Sequence, residues 1–195
     1  MSLATNTPVL PGGTIGILGG GQLGRMFAIA ARRMGYRVHA LDPVQDGPAG
    51  QVADVEWVAP YEDVETARKF AAAVDVVTFE FENVPAETLA AVAELRAVYP
   101  SPQVLDTCRH RLREKQFLQS NGFPVAAFAP VRSVDELRTA LTRLGTPAIL
   151  KTAEFGYDGK GQFVLRSSDQ MEQAWVELGP AGSLIAESFV KFSRE

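Results

Sequence analysis

The chain has 195 residues, 46% hydrophobic and 22% charged, with a formal net charge of −4. That suits one large or two small globular domains. The absence of a basic block argues against nucleic acid as the main partner. A single cysteine, Cys108, leaves no internal disulfide and fits a reducing cytosol. His39 and His110 are the only histidines, too few for a histidine-rich metal site. No apolar run approaches the roughly 20 residues that a membrane helix needs, and "MSLATNTPVLPGG" lacks the basic and apolar regions of a secretion signal. The expectation is a cytoplasmic protein without membrane contact, with residues 1–12 set aside as a tail.

In chain order, "TIGIL" (14–18) is a β-branched run, followed by "GGGQLGRMFAIAARRMG". Leu23, Met26, Phe27, Ala30, Ala31 and Met34 recur at helical spacing, predicting an amphipathic helix that stops at Gly35. "RVHAL" (37–41) and "VEWV" (55–58) read as strands, 62–74 as a helix, and "DVVTFEF" (75–81) as a strand. Pro85 opens a further helix, "AETLAAVAELR". This alternation predicts a parallel sheet with helices on both faces. The rhythm then changes. A charged helix is expected over 106–122, then a strand "FAPV" and a helix with Ser133 as N-cap and Glu136 in the capping-box position. "PAILK", "QFVLR" and "SLIAESFV" read as strands, the last preceded by a helix, "SDQMEQAWVELG".

Two glycine clusters carry the chemistry. Gly19, Gly21 and Gly24 form G-x-G-x-x-G between a strand and a helix, and Asp42 ends the next strand 18 residues past Gly24. The spacing matches a dinucleotide-binding fingerprint. It also matches a tight strand-to-helix turn, or a plain anion site at a helix N-terminus. A full NAD domain would carry about six strands, and here the alternation breaks near residue 97. The second cluster, Gly156, Gly159 and Gly161 with Lys160, does not fit a Walker A loop and joins two strand-like segments. On its own it is either a glycine-rich turn or a hairpin tip that closes over phosphates. Lys151 tips the balance, since it ends an apolar strand and holds its ammonium at the mouth of a cleft. Glu187 ends the strand "SLIAE" and Glu195 follows eight residues later. A strand-end lysine, a glycine flap and spaced carboxylates together make a nucleotide cradle.

"GILGGGQLGRM", "TFEFENVP", "RHRLREKQFL", "AILKTAEFGYDGKGQ" and "IAESFVKFSRE" occur in order. In these motifs the chain resembles the N5-carboxyaminoimidazole ribonucleotide synthase family of ATP-grasp enzymes over nearly all of residues 13–195. Gln22 and the Tyr157-Asp158 pair separate it from the sister formate-dependent glycinamide ribonucleotide transformylases, which carry Glu and a serine-rich flap there. The fold implied is α/β: a Rossmann-like preATP-grasp parallel sheet over 13–105, then the first, smaller α+β part of an ATP-grasp fold over 106–195. The implied reaction converts ATP, bicarbonate and 5-aminoimidazole ribonucleotide into N5-carboxyaminoimidazole ribonucleotide, ADP and phosphate through carboxyphosphate, in purine biosynthesis.

The resemblance also implies roles. Lys151 and Arg111 contact ATP phosphates, covered by a flap of Gly156, Tyr157, Asp158, Gly159, Lys160, Gly161 and Gln162. Lys151, Tyr157, Asp158 and Lys160 are the catalytic candidates, with Tyr157 and Asp158 at the junction of the two substrates. Glu187, Ser188, Phe189 and Val190 form the adenine edge, and Glu195 holds the ribose. Gly21, Gln22, Leu23 and Glu82 meet the aminoimidazole nucleotide. Glu80 is the alternative to Glu82, on the same face of the expected strand. The family's magnesium ligands are expected beyond residue 195, with no metal ligand among these residues, so the chain by itself is expected to be inactive. The family's homodimer is inherited by resemblance. An NAD-dependent oxidoreductase, resting on Gly19–Gly24 and Asp42, and a non-catalytic nucleotide-binding fragment are the competing readings.

Overall fold

The computed structural model describes residues 8–154 and 160–194. The chain divides into two compact units, Met1–Asp106 and Thr107–Glu195.

The first unit runs β1 (Thr14–Leu18), α1 (Gln22–Arg33), β2 (Arg37–Asp42), β3 (Val55–Val58), α2 (Val64–Ala72), β4 (Val76–Phe79) and α3 (Ala86–Ala93). The strands form a four-stranded sheet in the order β3-β2-β1-β4, parallel throughout. Parallel strands need helical crossovers, and these cover both faces. Ile17, Val38 and Ala40 pack with Ala28 and Ala31 of α1. Leu18, Leu41 and Val77 pack with Phe70 of α2 and with Leu89 and Val92 of α3. Phe70 is fully buried and meets Trp57 edge-to-face at 6.0 Å. A buried side chain of that size contributes roughly 1.5–3 kcal/mol.

Helix α1 turns a different face inward from the one its large apolar residues suggest. Gly24, Ala28 and Ala31 are buried, while Leu23, Met26 and Met34 are more than half exposed. A seam of small residues lets the helix axis approach the sheet, and the buried positions still follow helical spacing. Strand β4 is also shorter than expected and ends at Phe79.

Helix α4 (Pro102–Cys108) spans the boundary between the units. The second unit continues with α5 (Arg111–Ser120), β5 (Phe128–Val131), α6 (Val134–Leu144), β6 (Ala148–Thr152), β7 (Gln162–Leu165), α7 (Met171–Leu178) and β8 (Leu184–Ser188). The single helix expected over 106–122 is broken. Extended backbone at His110 interrupts it, and the His110 ring nitrogen accepts from the Arg113 N–H as an N-cap. Ser133 caps α6 as expected, accepting from the Glu136 N–H at 3.2 Å. The Glu136 carboxylate reaches the N–H of Arg132, one residue before the cap, at 2.7 Å.

The second sheet has the order β5-β8-β6-β7, antiparallel throughout. Ala148, Leu150, Leu165, Leu184 and Ala186 face α6 and α7, where Leu137, Leu141, Ala174 and Leu178 complete the core. By alternation, Lys151 and Glu187 lie on the opposite face.

Candidate functional site

In the first unit the turn between β1 and α1 is built around two carboxylates. The Gly20 N–H donates to Asp42 Oδ2 at 2.6 Å, and the Gly21 N–H donates to Glu80 Oε1 at 2.9 Å. A Cβ on Gly20 would stand 2.6 Å from the Asp42 Cβ, so the approach requires glycine. Asp42 Oδ2 also accepts from the Tyr61 hydroxyl at 2.7 Å, and Oδ1 accepts from the Val44 N–H at 2.8 Å. Burial pushes the Tyr61 phenol above its ordinary range, and the hydrogen bond and charge of Asp42 push it further, so it remains a donor.

This arrangement removes what the NAD reading needs. Gly21 is the glycine that would approach a pyrophosphate, and its N–H is held by Glu80. Asp42, which would reach ribose hydroxyls, already accepts from Gly20, Tyr61 and Val44. What remains is the start of α1, where the N–H groups of Gln22, Leu23 and Gly24 have no intrahelical acceptors by position. Gln22 and Leu23 are exposed there. That end suits one phosphate rather than a dinucleotide.

The choice between Glu80 and Glu82 changes with the length of β4. The strand ends at Phe79, so both carboxylates lie beyond it and the same-face expectation does not hold. Glu80 turns back to brace the glycine turn, while Glu82 sits exposed in the following turn. The structure thus gives the two acidic residues different surroundings.

In the second unit, Lys151 and Glu187 come together across β6 and β8, with Nζ 3.1 Å from Oε2. Lys115 of α5 reaches the same oxygen at 3.4 Å. The Glu187 side chain is 7% exposed, and its second oxygen, Oε1, has no hydrogen-bond partner among the described residues. Lys115 was not legible as a site residue in the sequence. The one available signal is its spacing from Leu112, the buried residue of α5, which places both on one helix face.

The turn leaving β6 is anchored on both sides. The Arg111 N–H donates to the Ala153 carbonyl at 2.9 Å, and its guanidinium Nη1 donates to the Thr152 carbonyl at 2.7 Å. The Thr152 N–H donates to Gly161 at 2.8 Å. Gly161 has φ +68°, and a Cβ there would stand 2.7 Å from Thr152 Oγ1. Lys160 and Gln162 are exposed, and Gln162 pairs with Lys151 across the hairpin. Gly156, Tyr157, Asp158, Gly159 and Glu195 lie outside the described residues. At the end of β8, the N–H groups of Ser188 and of Phe189, which follows it, donate to the carbonyls of Ala127 and Pro147, at 2.8 and 3.3 Å, so these two donors are committed within the fold. Phe189 and Val190 are exposed. Among the described residues no cluster of three or more His, Cys, Asp or Glu side chains could hold a metal ion, and no helix is long and apolar enough to cross a membrane.

Residues 13–109 match the Ribonucleotide synthetase preATP-grasp domain, and residues 116–195 match the ATP-grasp domain. The N5-carboxyaminoimidazole ribonucleotide synthase of Bacillus subtilis is 46% identical over 187 residues, which cover 96% of this chain and 49% of that protein. The chain belongs to the N5-carboxyaminoimidazole ribonucleotide synthase family of ATP-grasp proteins. A crystal structure of the ADP complex of an N5-carboxyaminoimidazole ribonucleotide synthetase aligns with a TM-score of 0.91 at 41% identity, covering 97% of this chain and 50% of that one. The Aspergillus clavatus N5-carboxyaminoimidazole synthase in complex with ADP and 5-aminoimidazole ribonucleotide aligns with a TM-score of 0.83 at 31% identity, covering 93% of this chain and 47% of that one. The chain spans about half the length of the curated synthases it matches.

Proposed function

We propose that the chain supplies the nucleotide-binding surfaces of an enzyme that carboxylates 5-aminoimidazole ribonucleotide at the expense of ATP. The observation that carries this is the Lys151–Glu187 pair beside the anchored β6–β7 turn. It puts ammonium charge on the strand that leads into a glycine-rich segment, as a polyphosphate requires. The start of α1, through the N–H groups of Gln22 and Leu23 and beside the Gly21 turn that Glu80 braces, takes the monophosphate of the imidazole nucleotide, and Glu82 contacts the same ligand. Relatives whose structures are complexes with ADP, or with ADP and 5-aminoimidazole ribonucleotide, support a reading with two nucleotide ligands.

In the reaction, a bicarbonate oxygen attacks the γ-phosphorus of ATP, and ADP leaves with the electrons of the broken P–O bond. The carboxyphosphate formed releases CO2 and phosphate, and the substrate amine captures the CO2 and gives up its proton to the released phosphate, leaving N5-carboxyaminoimidazole ribonucleotide. No protein nucleophile is needed, so positioning and charge neutralisation supply the catalysis. Lys151, Lys160 and Arg111 provide positive charge. Residues 156–162 cover the phosphates, with Tyr157 and Asp158 beside the reacting groups. Glu187, Ser188, Phe189 and Val190 form the adenine edge, and Glu195 holds the ribose. Magnesium belongs to ATP chemistry of this kind, but the described residues offer no ligand set for it, and none of these roles runs through a metal. The homodimer and the cytoplasmic setting are part of the same proposal.

Titration calorimetry of the whole protein against ATP, ADP and NAD tests the assignment of the second unit. Binding of ATP and ADP without NAD is expected. Tight NAD binding without ATP would return Gly19–Gly24 and Asp42 to the oxidoreductase reading.

A further inference from the structure

We infer that Lys115 is a positioning residue: it holds the charge of buried Glu187 so that Lys151 can pass its ammonium to the nucleotide phosphates. The inference rests on the ATP-binding reading above. Three elements converge on one carboxylate. Lys151 comes from β6, Glu187 from β8 and Lys115 from α5, with the two ammonium groups 3.1 and 3.4 Å from the same Oε2. Glu187 is buried, and both lysines are about four-fifths covered, at 22% and 20% exposure. Glu187 Oε1 has no partner among the described residues.

One lysine would neutralise one carboxylate. With Lys151 alone, the nucleotide would have to take Lys151 from Glu187 and leave a buried carboxylate uncompensated, which is strongly unfavourable. Two lysines on one oxygen alter the balance. The cluster carries a net positive charge that an arriving polyphosphate relieves, since two ammonium groups gathered on one oxygen repel each other. When Lys151 turns to the phosphates, Lys115 still pairs with Glu187. Lys115 then needs no contact with the nucleotide itself. Its position on α5 is fixed independently, because the Arg111 N–H at the start of the helix is tied to the carbonyl of Ala153, the residue after β6.

The experiment is a double-mutant comparison of ADP affinity in the whole protein, by calorimetry, with folding checked by thermal melting. Lys115→Met is expected to weaken ADP binding about tenfold or more when Glu187 is present. In the Glu187→Gln background the same substitution is expected to change the affinity by less than about threefold, because no buried charge remains to be compensated. Lys115→Arg keeps the charge and is expected to stay within about threefold of wild type. If Lys115→Met folds poorly, Lys115→Gln makes the same comparison, since it removes the charge and keeps a donor. Equal losses in both backgrounds would mean that Lys115 acts on the nucleotide directly, and no loss in the wild-type background would mean that it has no role. Either result overturns the inference while leaving the ATP reading in place. A wild-type protein that binds no ADP overturns both.

Discussion

The Gly21 N–H and the Glu80 carboxylate, 59 residues apart in sequence, meet at 2.9 Å and lock the turn between β1 and α1. A carboxylate at the base of a turn proposed to face a phosphate is electrostatically unexpected, and its effect is to fix the backbone while using up one amide. Glu80→Ala leaves the Gly21 N–H without this acceptor, at a cost of about 1–3 kcal/mol. Glu80→Gln keeps an acceptor and is expected to lose less. Urea denaturation of the two variants checks the order. Equal losses would mean that the carboxylate charge, rather than the hydrogen bond, holds the turn.

Tyr61 gives a pH signature. Its phenol is raised in the folded protein by burial and by Asp42. The folded state therefore holds a proton that the unfolded chain releases near pH 10. The contribution of Tyr61 to stability is complete below about pH 10 and declines as the pH rises above that value. The stability difference between wild type and Tyr61→Phe is expected to be flat from pH 7 to 9 and to fall above pH 10, as read by denaturant midpoints. A difference that already falls below pH 9 would mean that the phenol is not held as the structure shows.

Gln22→Ala tests the proposed separation of the two nucleotide sites. It sits at the exposed start of α1, in a different unit from Lys151 and Glu187. Steady-state kinetics of the whole protein are expected to show a raised KM for 5-aminoimidazole ribonucleotide with the KM for ATP nearly unchanged. Equal rises for both substrates would contradict the division of ligands between α1 and the second unit.

Gly161 holds a left-handed conformation next to Thr152. Gly161→Ala costs about 1–2 kcal/mol for the backbone alone, and its Cβ would also stand 2.7 Å from Thr152 Oγ1. Thermal denaturation is expected to show the loss. Unchanged stability would mean that the turn adopts another conformation.

The sequence carried the α/β alternation, because β-branched runs and helical spacing are local signals, and the matched preATP-grasp and ATP-grasp domains agree with it. It misjudged the inner face of α1, because periodicity weighs large apolar residues such as Leu23 and Met26, whereas the sheet accepts Gly24, Ala28 and Ala31. It ran one helix through His110, because a ring nitrogen acting as an N-cap does not stand out in a charged stretch. Lys151 and Glu187 stood out because each follows a run of apolar strand residues, and the structure brings the two side chains together across β6 and β8. Lys115 was hidden, because its partner lies on another element and α5 buries little apolar surface. Glu80 was misplaced because the end of β4 depends on the turn that follows rather than on local composition.

The most direct test of the account is ADP release by the whole protein, measured with ATP, magnesium, labelled bicarbonate and 5-aminoimidazole ribonucleotide, and with each omitted in turn. The account predicts rapid ADP release only when all are present, at a rate on the order of 1 per second or more, with label in an acid-labile carbamate on the imidazole nucleotide. ADP release that is indifferent to the imidazole nucleotide, with no labelled carbamate formed, would contradict it.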